Sequence, residues 1–464
     1  MAQQPAFGGS FLAPCCCPGG GCLSVGCCAY APSSKAGYCA CWRRSTCLWR
    51  CACCCSGCLG VLIFAIVVLC ISTAVSAEVD CAKQPGFAAG GAASSVPVVF
   101  VPGTTATYLM SGAKFVYLTA YSAMGIGTTP LGLPPVWVGS ASDVRDPSLY
   151  YQQRDGLTPG DVISWIGLPG FACYQYEVYR TLFAWSRQCL NRPFYTFPYD
   201  WRRDQYETGK LLEALVRTVS ARHNSKVQLV GHSTGGGLTL ALVNRAPELV
   251  HSTIYIAATV TPWWGTADAY SKPMSLGLGE TSSVPASARV TLPMEMGWLN
   301  GLDPRDVGRG SFLIDSVSGA PVAIDLSNPQ TWLDYKLVPG MSDASDARFP
   351  ALVGGLLRAK LVRSFMQFNA SLAYPPSAVI TSHYNTSMLP ANFSIDVASR
   401  SINFARPLGP RVAGDGSVRA ADAVPPYPQS GGTFLVTNKL YMPHAALCND
   451  VVTLKAAMDA VGPY

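Results

Sequence analysis

Val227-Gln228-Leu229-Val230-Gly231-His232-Ser233-Thr234-Gly235-Gly236-Gly237-Leu238-Thr239-Leu240-Ala241-Leu242 is the stretch that orders the rest of the chain. A short apolar run leads into Gly-x-Ser-x-Gly, and a second apolar run with helix-forming residues follows. Strand, sharp turn and helix in that order lift a serine hydroxyl clear of a sheet. Gly231 and Gly235 are the elbow glycines, because a side chain at either place would strike the neighbouring strand or helix. A glycine-rich loop that cradles phosphate would need a lysine in the turn, and none follows. Ser233 is therefore the candidate nucleophile.

Working outward, Lys226 to Val230 reads as the strand before the elbow, and the helix after it runs through Ala246. Upstream, Tyr206 to His223 places Leu211, Leu212, Leu215, Val216 and Val219 on one helical face. Val96 to Val101 is a buried-strand run ending at Pro102-Gly103, and Thr253 to Val260 is another strand. Further strands are expected at Ala378 to Thr381 and Thr433 to Thr437, with a closing helix over about Asp450 to Val461. Alternating strands and helices imply a mostly parallel sheet covered by helices. The expectation is an α/β-hydrolase fold over residues 96–464, with a cap inserted over about 265–376, where Pro, Gly, Ser and scattered Trp replace the regular alternation. A second irregular insertion is expected between Leu109 and Pro169, with Leu131 to Val138 as core packing.

A serine nucleophile needs a base, and the chain has five histidines. In this fold the order is Ser, acid, His, so the base lies beyond the last strands, and His444 is the histidine that does. His232 adjoins the nucleophile and is expected to point elsewhere; His223 and His251 are expected at helix ends; His383 is the alternative base. Between serine and base, Gly414-Asp415-Gly416 offers a carboxylate on a loop that can turn inward, with Asp422 as the fallback. The oxyanion of acyl transfer needs two backbone N–H donors, one after the nucleophile and one after the first strand. Thr234 and Thr104 hold those positions.

Charge and cysteine divide the chain differently. Charged residues are 13% of the 464, and of the net charge of +6, Lys35, Arg43, Arg44 and Arg50 account for four before the first acid, Glu78. The nearly neutral remainder offers no footprint for nucleic acid. Of the 19 cysteines, only Cys173, Cys189 and Cys448 follow Cys81. Residues 1–57 read as a disordered, cysteine-rich tail, 58–77 as an uncharged transmembrane helix and 78–95 as a linker. The arginines before the span and Glu78 and Asp80 after it place the N-terminus in the cytosol and the large domain in the lumen or outside the cell. Val75-Ser76-Ala77 resembles a cleavage site, but the long polar region ahead favours an uncleaved signal-anchor. Cys51, Cys53, Cys54, Cys55 and Cys58 are candidates for palmitoylation. The tail's cysteines come in runs, Cys15-Cys16-Cys17, Cys27-Cys28 and Cys53-Cys54-Cys55, rather than in two well-separated CxxC pairs of the kind that wrap one zinc ion. Beyond the span, Asn369, Asn385 and Asn392 head glycosylation sequons expected on one surface loop, and Cys173 with Cys189 is the most local disulfide pairing.

Several of these strings together resemble the lecithin:cholesterol acyltransferase family, which includes lysosomal phospholipase A and the phospholipid:diacylglycerol acyltransferases. They are Val99-Phe100-Val101-Pro102-Gly103, Phe197-Pro198-Tyr199-Asp200-Trp201-Arg202, Gly231 to Gly236, Pro262-Trp263-Trp264-Gly265, Gly414 to Val418 and Pro443-His444. Pro-Tyr-Asp-Trp-Arg is the most specific, and Asp200 with Arg202 reads as a structural charge pair. Thr104-Thr105-Ala106-Thr107 departs from the family's Gly-containing loop. The resemblance implies a serine-dependent enzyme that moves an acyl group from a membrane phospholipid to a sterol, a diacylglycerol or water through an acyl-enzyme. No metal or organic cofactor is called for. The alternatives are a neutral-lipid lipase or esterase, and an inactive lipid-binding membrane scaffold.

Overall fold

The structure, a computed structural model, describes residues 81, 96–117, 135–137, 146, 149–152, 154–168, 171–260, 313–320, 322, 325, 328–336, 341–347, 349–382, 389–425, 434–439 and 442–461. All lie in the second of two compact units, Cys70–Tyr464. The tail 1–57, the span 58–77, the five palmitoylation candidates, His383 and Asn385 lie outside the described residues. Among the described residues, no helix is long and apolar enough to cross a membrane.

The core is a six-stranded sheet of β1 (Val98–Val101), β2 (Phe194–Thr196), β3 (Val227–His232), β4 (Val250–Ile256), β5 (Ser377–Ser382) and β6 (Phe434–Lys439). Its order is β6-β5-β4-β3-β1-β2, and every pairing is parallel. In sequence order the sheet begins with β1, steps outward to β2, then crosses back to β3 and continues the other way. Strand order therefore reverses between β1 and β3, which opens a crevice beyond their carboxyl ends. Register brings Val101 opposite Gly231, so the turn after β1 and the turn after β3 leave the sheet side by side.

Successive residues of β1 face opposite layers. Val99 and Val101 pack with Leu212, Val216 and Val219 of the helix α2 (Gln205–His223) and with Leu238 and Leu242 of α3 (Thr234–Arg245). Val98 and Phe100 pack with Leu182 and Trp185 of α1 (Arg180–Gln188) and with the helix α5 (Val451–Ala460). Each fully buried aliphatic side chain contributes roughly 1.5–3 kcal/mol. Helix α2 has clear local signals: the Asp204 carboxylate accepts from Tyr206 N at 2.7 Å and Glu207 N at 3.3 Å, and Asn224 closes the other end with φ 47°.

The cap range is more regular than its composition suggests. It holds the helix α4 (Phe349–Ser364), which buries Leu352, Leu356, Ala359 and Val362. The paired Gly354 and Gly355 hide that spacing in the sequence. After β5, Leu389–Asp396 and Ser401–Val412 form an antiparallel hairpin. Asn392 therefore lies in a strand, whereas Asn369 is exposed outside any helix or strand, so the expectation of one loop carrying the sequons does not hold. The insertion between Leu109 and Pro169 also contains pairing: Thr107–Ser111 sits between Lys114–Tyr117 and Thr158–Val162, and Pro135–Trp137 pairs with Tyr150–Gln152.

The disulfide differs from the expected Cys173–Cys189 pairing. Cys189, which ends α1, is joined to Cys81, 108 positions away, with Cα atoms 5.6 Å apart. Cys173 belongs to the strand Phe171–Glu177. Closeness in sequence does not set a disulfide, because the fold must bring two Cβ atoms together with the right geometry. By chain entropy, a loop of this size stabilises by about 4–5 kcal/mol. Cys448 is free and buried, and burial pushes its thiol pKa well up.

Candidate active site

Ser233 sits between β3 and α3 with φ 54° and ψ −125°, a backbone conformation that costs about 1–3 kcal/mol. Three main-chain hydrogen bonds hold it there: Ser233 N donates to Ile256 O at 3.0 Å, and Ser233 O accepts from Gly236 N and Thr259 N, both at 2.9 Å. The elbow glycines have a steric cause. A Cβ on Gly231 would lie 2.6 Å from Thr239 Oγ1 and 2.8 Å from Gly235 O, and one on Gly235 would overlap the main-chain oxygen of Val101. Gly235→Ala is expected to destabilise by about 1–3 kcal/mol or more, because rigid backbone must move. Thermal unfolding reads this as a lower midpoint; an unchanged midpoint would mean that the elbow is looser than it looks.

Thr104 and Thr234 meet across the crevice, with their hydroxyls hydrogen-bonded at 2.6 Å. Among the described residues neither main-chain N–H of this pair has an acceptor, so both are available. The neighbouring Thr105 has φ 63°, and its hydroxyl donates to Thr104 O at 2.6 Å. Behind this turn, the buried Tyr199 hydroxyl donates to Pro102 O at 3.0 Å, with burial raising its pKa. The Pro-Tyr-Asp-Trp-Arg string thus supports the loop after β1. Its Asp200–Arg202 pair is present as expected, and the structure adds Asp155, 2.6 Å from Arg202 Nη1. Asp155 could not have been found from spacing, since 47 positions separate it from Arg202.

Asp415 and His444 are brought together: His444 Nδ1 lies 2.7 Å from Asp415 Oδ2, and His444 N donates to Asp415 O at 3.0 Å. The other carboxylate oxygen accepts from Ser417 N at 2.8 Å and Val418 N at 2.7 Å. Burial acts to raise the Asp415 pKa, but the His444 charge and these hydrogen bonds outweigh it and hold it below the ordinary value. A carboxylate facing Nδ1 fixes the proton there and leaves Nε2 as the basic nitrogen. Asp422 is instead paired with Arg419, with Arg419 Nη2 donating to its Oδ1 at 3.0 Å. His223, which ends α2, is bonded to the Tyr195 hydroxyl at 2.8 Å, and His251, in β4 and not at a helix end, to Ser252 Oγ at 3.0 Å.

His232 does not point elsewhere. Its ring packs against that of His444, with centroids 4.7 Å apart, which brings the imidazole of His444 beside the residue preceding Ser233. Among the described residues Ser233 and His444 share no hydrogen bond; such links are often long before substrate tightens them. No group of three or more His, Cys, Asp and Glu among the described residues is arranged to hold a metal ion.

A family model described as lecithin:cholesterol acyltransferase matches residues 154–291, a span that contains Arg202, the elbow and β4. A search of the curated proteins gives no match. Among solved structures, the mature Bacillus licheniformis lipase BlEst2 is similar at 12% identity and TM-score 0.33, over 82% of this chain and 97% of that one. An extracellular α/β-hydrolase from a Paenibacillus species is similar at 12% identity and TM-score 0.26, over 80% and 100%. A 2-hydroxy-6-oxo-6-phenylhexa-2,4-dienoate hydrolase from Rhodococcus sp. strain RHA1 is similar at 11% identity and TM-score 0.28, over 79% and 90%. At such scores these likenesses add no argument; the fold rests on the strand order and the elbow.

Proposed function

We propose, taking residues 154–291 as those of the lecithin:cholesterol acyltransferase family, that the chain is a lipid acyltransferase or acyl hydrolase working through Ser233, His444 and Asp415. The observation that carries this reading is the 2.7 Å contact between His444 Nδ1 and Asp415 Oδ2, with the His444 ring packed against that of His232, the residue before Ser233, at a centroid distance of 4.7 Å. In the mechanism, His444 Nε2 takes the Ser233 proton as Oγ attacks an ester carbonyl, and Asp415 stabilises the imidazolium that forms. The N–H groups of Thr104 and Thr234 receive the oxyanion, placed beyond the carboxyl ends of β1 and β3 where strand order reverses. Collapse breaks the ester C–O bond, His444 gives its proton to the departing alcohol, and an acyl-serine remains. Water or a lipid alcohol, deprotonated by the same nitrogen, then attacks the acyl carbonyl, the bond to Ser233 Oγ breaks, and His444 returns the proton to Ser233 Oγ.

The donor we propose is a membrane phospholipid, and the acceptor a sterol, a diacylglycerol or water. We further propose a single-pass protein whose N-terminus is cytosolic and whose catalytic domain is lumenal or extracellular. The Cys81–Cys189 disulfide supports that side of the membrane, since such bonds persist in oxidising compartments. Full-chain protein given phosphatidylcholine vesicles with a labelled acyl chain, with and without sterol or diacylglycerol, is expected to yield labelled fatty acid or labelled acyl ester. Cleavage of triglyceride with no product from phosphatidylcholine would make it a neutral-lipid lipase. Failure of a fluorophosphonate to label the protein would favour the lipid-binding scaffold.

A further inference from the structure

Tyr179, 1% exposed, and His232, 4% exposed, stand between three loops of the candidate site. Gly103 N lies 3.1 Å from Tyr179 Oη, Tyr179 Oη lies 2.8 Å from His232 Nδ1, and His232 Nε2 lies 3.2 Å from His444 O. The ends of this chain determine its direction. An amide N–H only donates, so Tyr179 Oη accepts from Gly103. A carbonyl oxygen only accepts, so His232 Nε2 must carry the ring proton. Nδ1 is then a lone pair, as the tyrosine hydroxyl requires. Of the two neutral tautomers of His232, only the Nε2–H form satisfies all three links. Burial, and next the repulsion of His444, lower the His232 pKa to about 3 against the pull of Asp415, so that state persists at neutral pH.

We propose that Tyr179 and His232 are positioning residues that set the oxyanion loop, the nucleophile and the base in register through this one-way hydrogen-bond chain. Gly103 precedes Thr104, His232 precedes Ser233, and the acceptor at the far end is the main chain of His444 itself. The bond to Tyr179 also commits the Gly103 N–H, leaving the next N–H, that of Thr104, for the oxyanion. Packing keeps the chain in place: the Tyr179 ring meets Phe100 edge-on at 4.9 Å and His232 edge-on at 5.6 Å. A misplacement of about 1 Å between reacting groups can lower a rate by about 10²-fold.

This inference rests on the proposed roles of Ser233 and His444. Fluorophosphonate labelling of the wild type, absent in Ser233→Ala, checks those roles separately. In the full chain, Tyr179→Phe keeps the ring and removes the hydroxyl; kcat is expected to fall about 10–100-fold with KM within about twofold. His232→Gln can still accept from Tyr179 and donate to His444 O, so it should retain at least about tenfold more kcat than His232→Leu. Wild-type kcat in Tyr179→Phe, or no advantage of Gln over Leu, would overturn the proposal. ¹⁵N NMR of wild-type protein labelled at histidine gives an answer independent of how the variants fold. His232 is expected to show a protonated Nε2 and an unprotonated Nδ1, and the opposite tautomer would overturn the chain's direction.

Discussion

Ser233→Ala is expected to lower turnover of labelled phosphatidylcholine by about 10⁶-fold, the loss seen when a triad nucleophile is removed. Among the described residues that oxygen makes no hydrogen bond. The bonds that hold residue 233 at φ 54° are main-chain bonds to Ile256, Gly236 and Thr259, and alanine keeps all three. Thermal unfolding should therefore match the wild type while turnover and fluorophosphonate labelling disappear. A variant that folds normally and keeps more than about a hundredth of the activity would remove Ser233 from the mechanism. Some acceleration over water should survive, because the N–H groups of Thr104 and Thr234, the proposed oxyanion donors, are untouched by the substitution.

Asp415→Asn should cost about 10⁴-fold in kcat, for a reason set by the local hydrogen bonds. Ser417 N and Val418 N both donate to Asp415 Oδ1, so in the variant the amide oxygen must face them. The amide NH₂ is then turned toward His444 Nδ1, which must become an acceptor and send its proton to Nε2. A histidine protonated at Nε2 cannot take the Ser233 proton. The backbone should hardly notice, so KM and the spectroscopic fold should stay near wild type. A kcat within tenfold of wild type would show that another acid serves His444. The same change should alter the acid side of the stability profile. The folded Asp415 pKa is depressed, so its ionisation stabilises the fold above about pH 4 and that stabilisation fades as pH falls through the lower folded value. Asp415→Asn lacks this contribution, and the gap between the two proteins should narrow on acidification.

The elements around the elbow were legible because their signals are short-range. Val-Gln-Leu-Val before Gly231, the helix α2 between Asp204 and Asn224, and the runs that became β1, β4, β5 and β6 each carry their pattern within one element. What was not read fails for physical causes of the same kind. Helix α4 is interrupted by Gly354-Gly355, and β2 has only three residues between α1 and the Pro-Tyr-Asp-Trp-Arg string. The long hairpin over Leu389–Asp396 and Ser401–Val412 contains Pro390, Pro407 and Pro410, which argue against strand in any local reading.

From the sequence alone came the elbow, the parallel α/β alternation and the order of serine, acid and histidine, since each is written in neighbouring residues or in chain order. Only the tertiary structure decided that Cys189 joins Cys81, that Asp155 completes the Arg202 pair, and that His232 turns toward His444 rather than away. Those contacts link positions 108, 47 and 212 apart. Local pattern carries no information about such pairs, because which groups meet depends on where the sheet sends each loop, and in this fold the loops after β1, β3 and β6 converge.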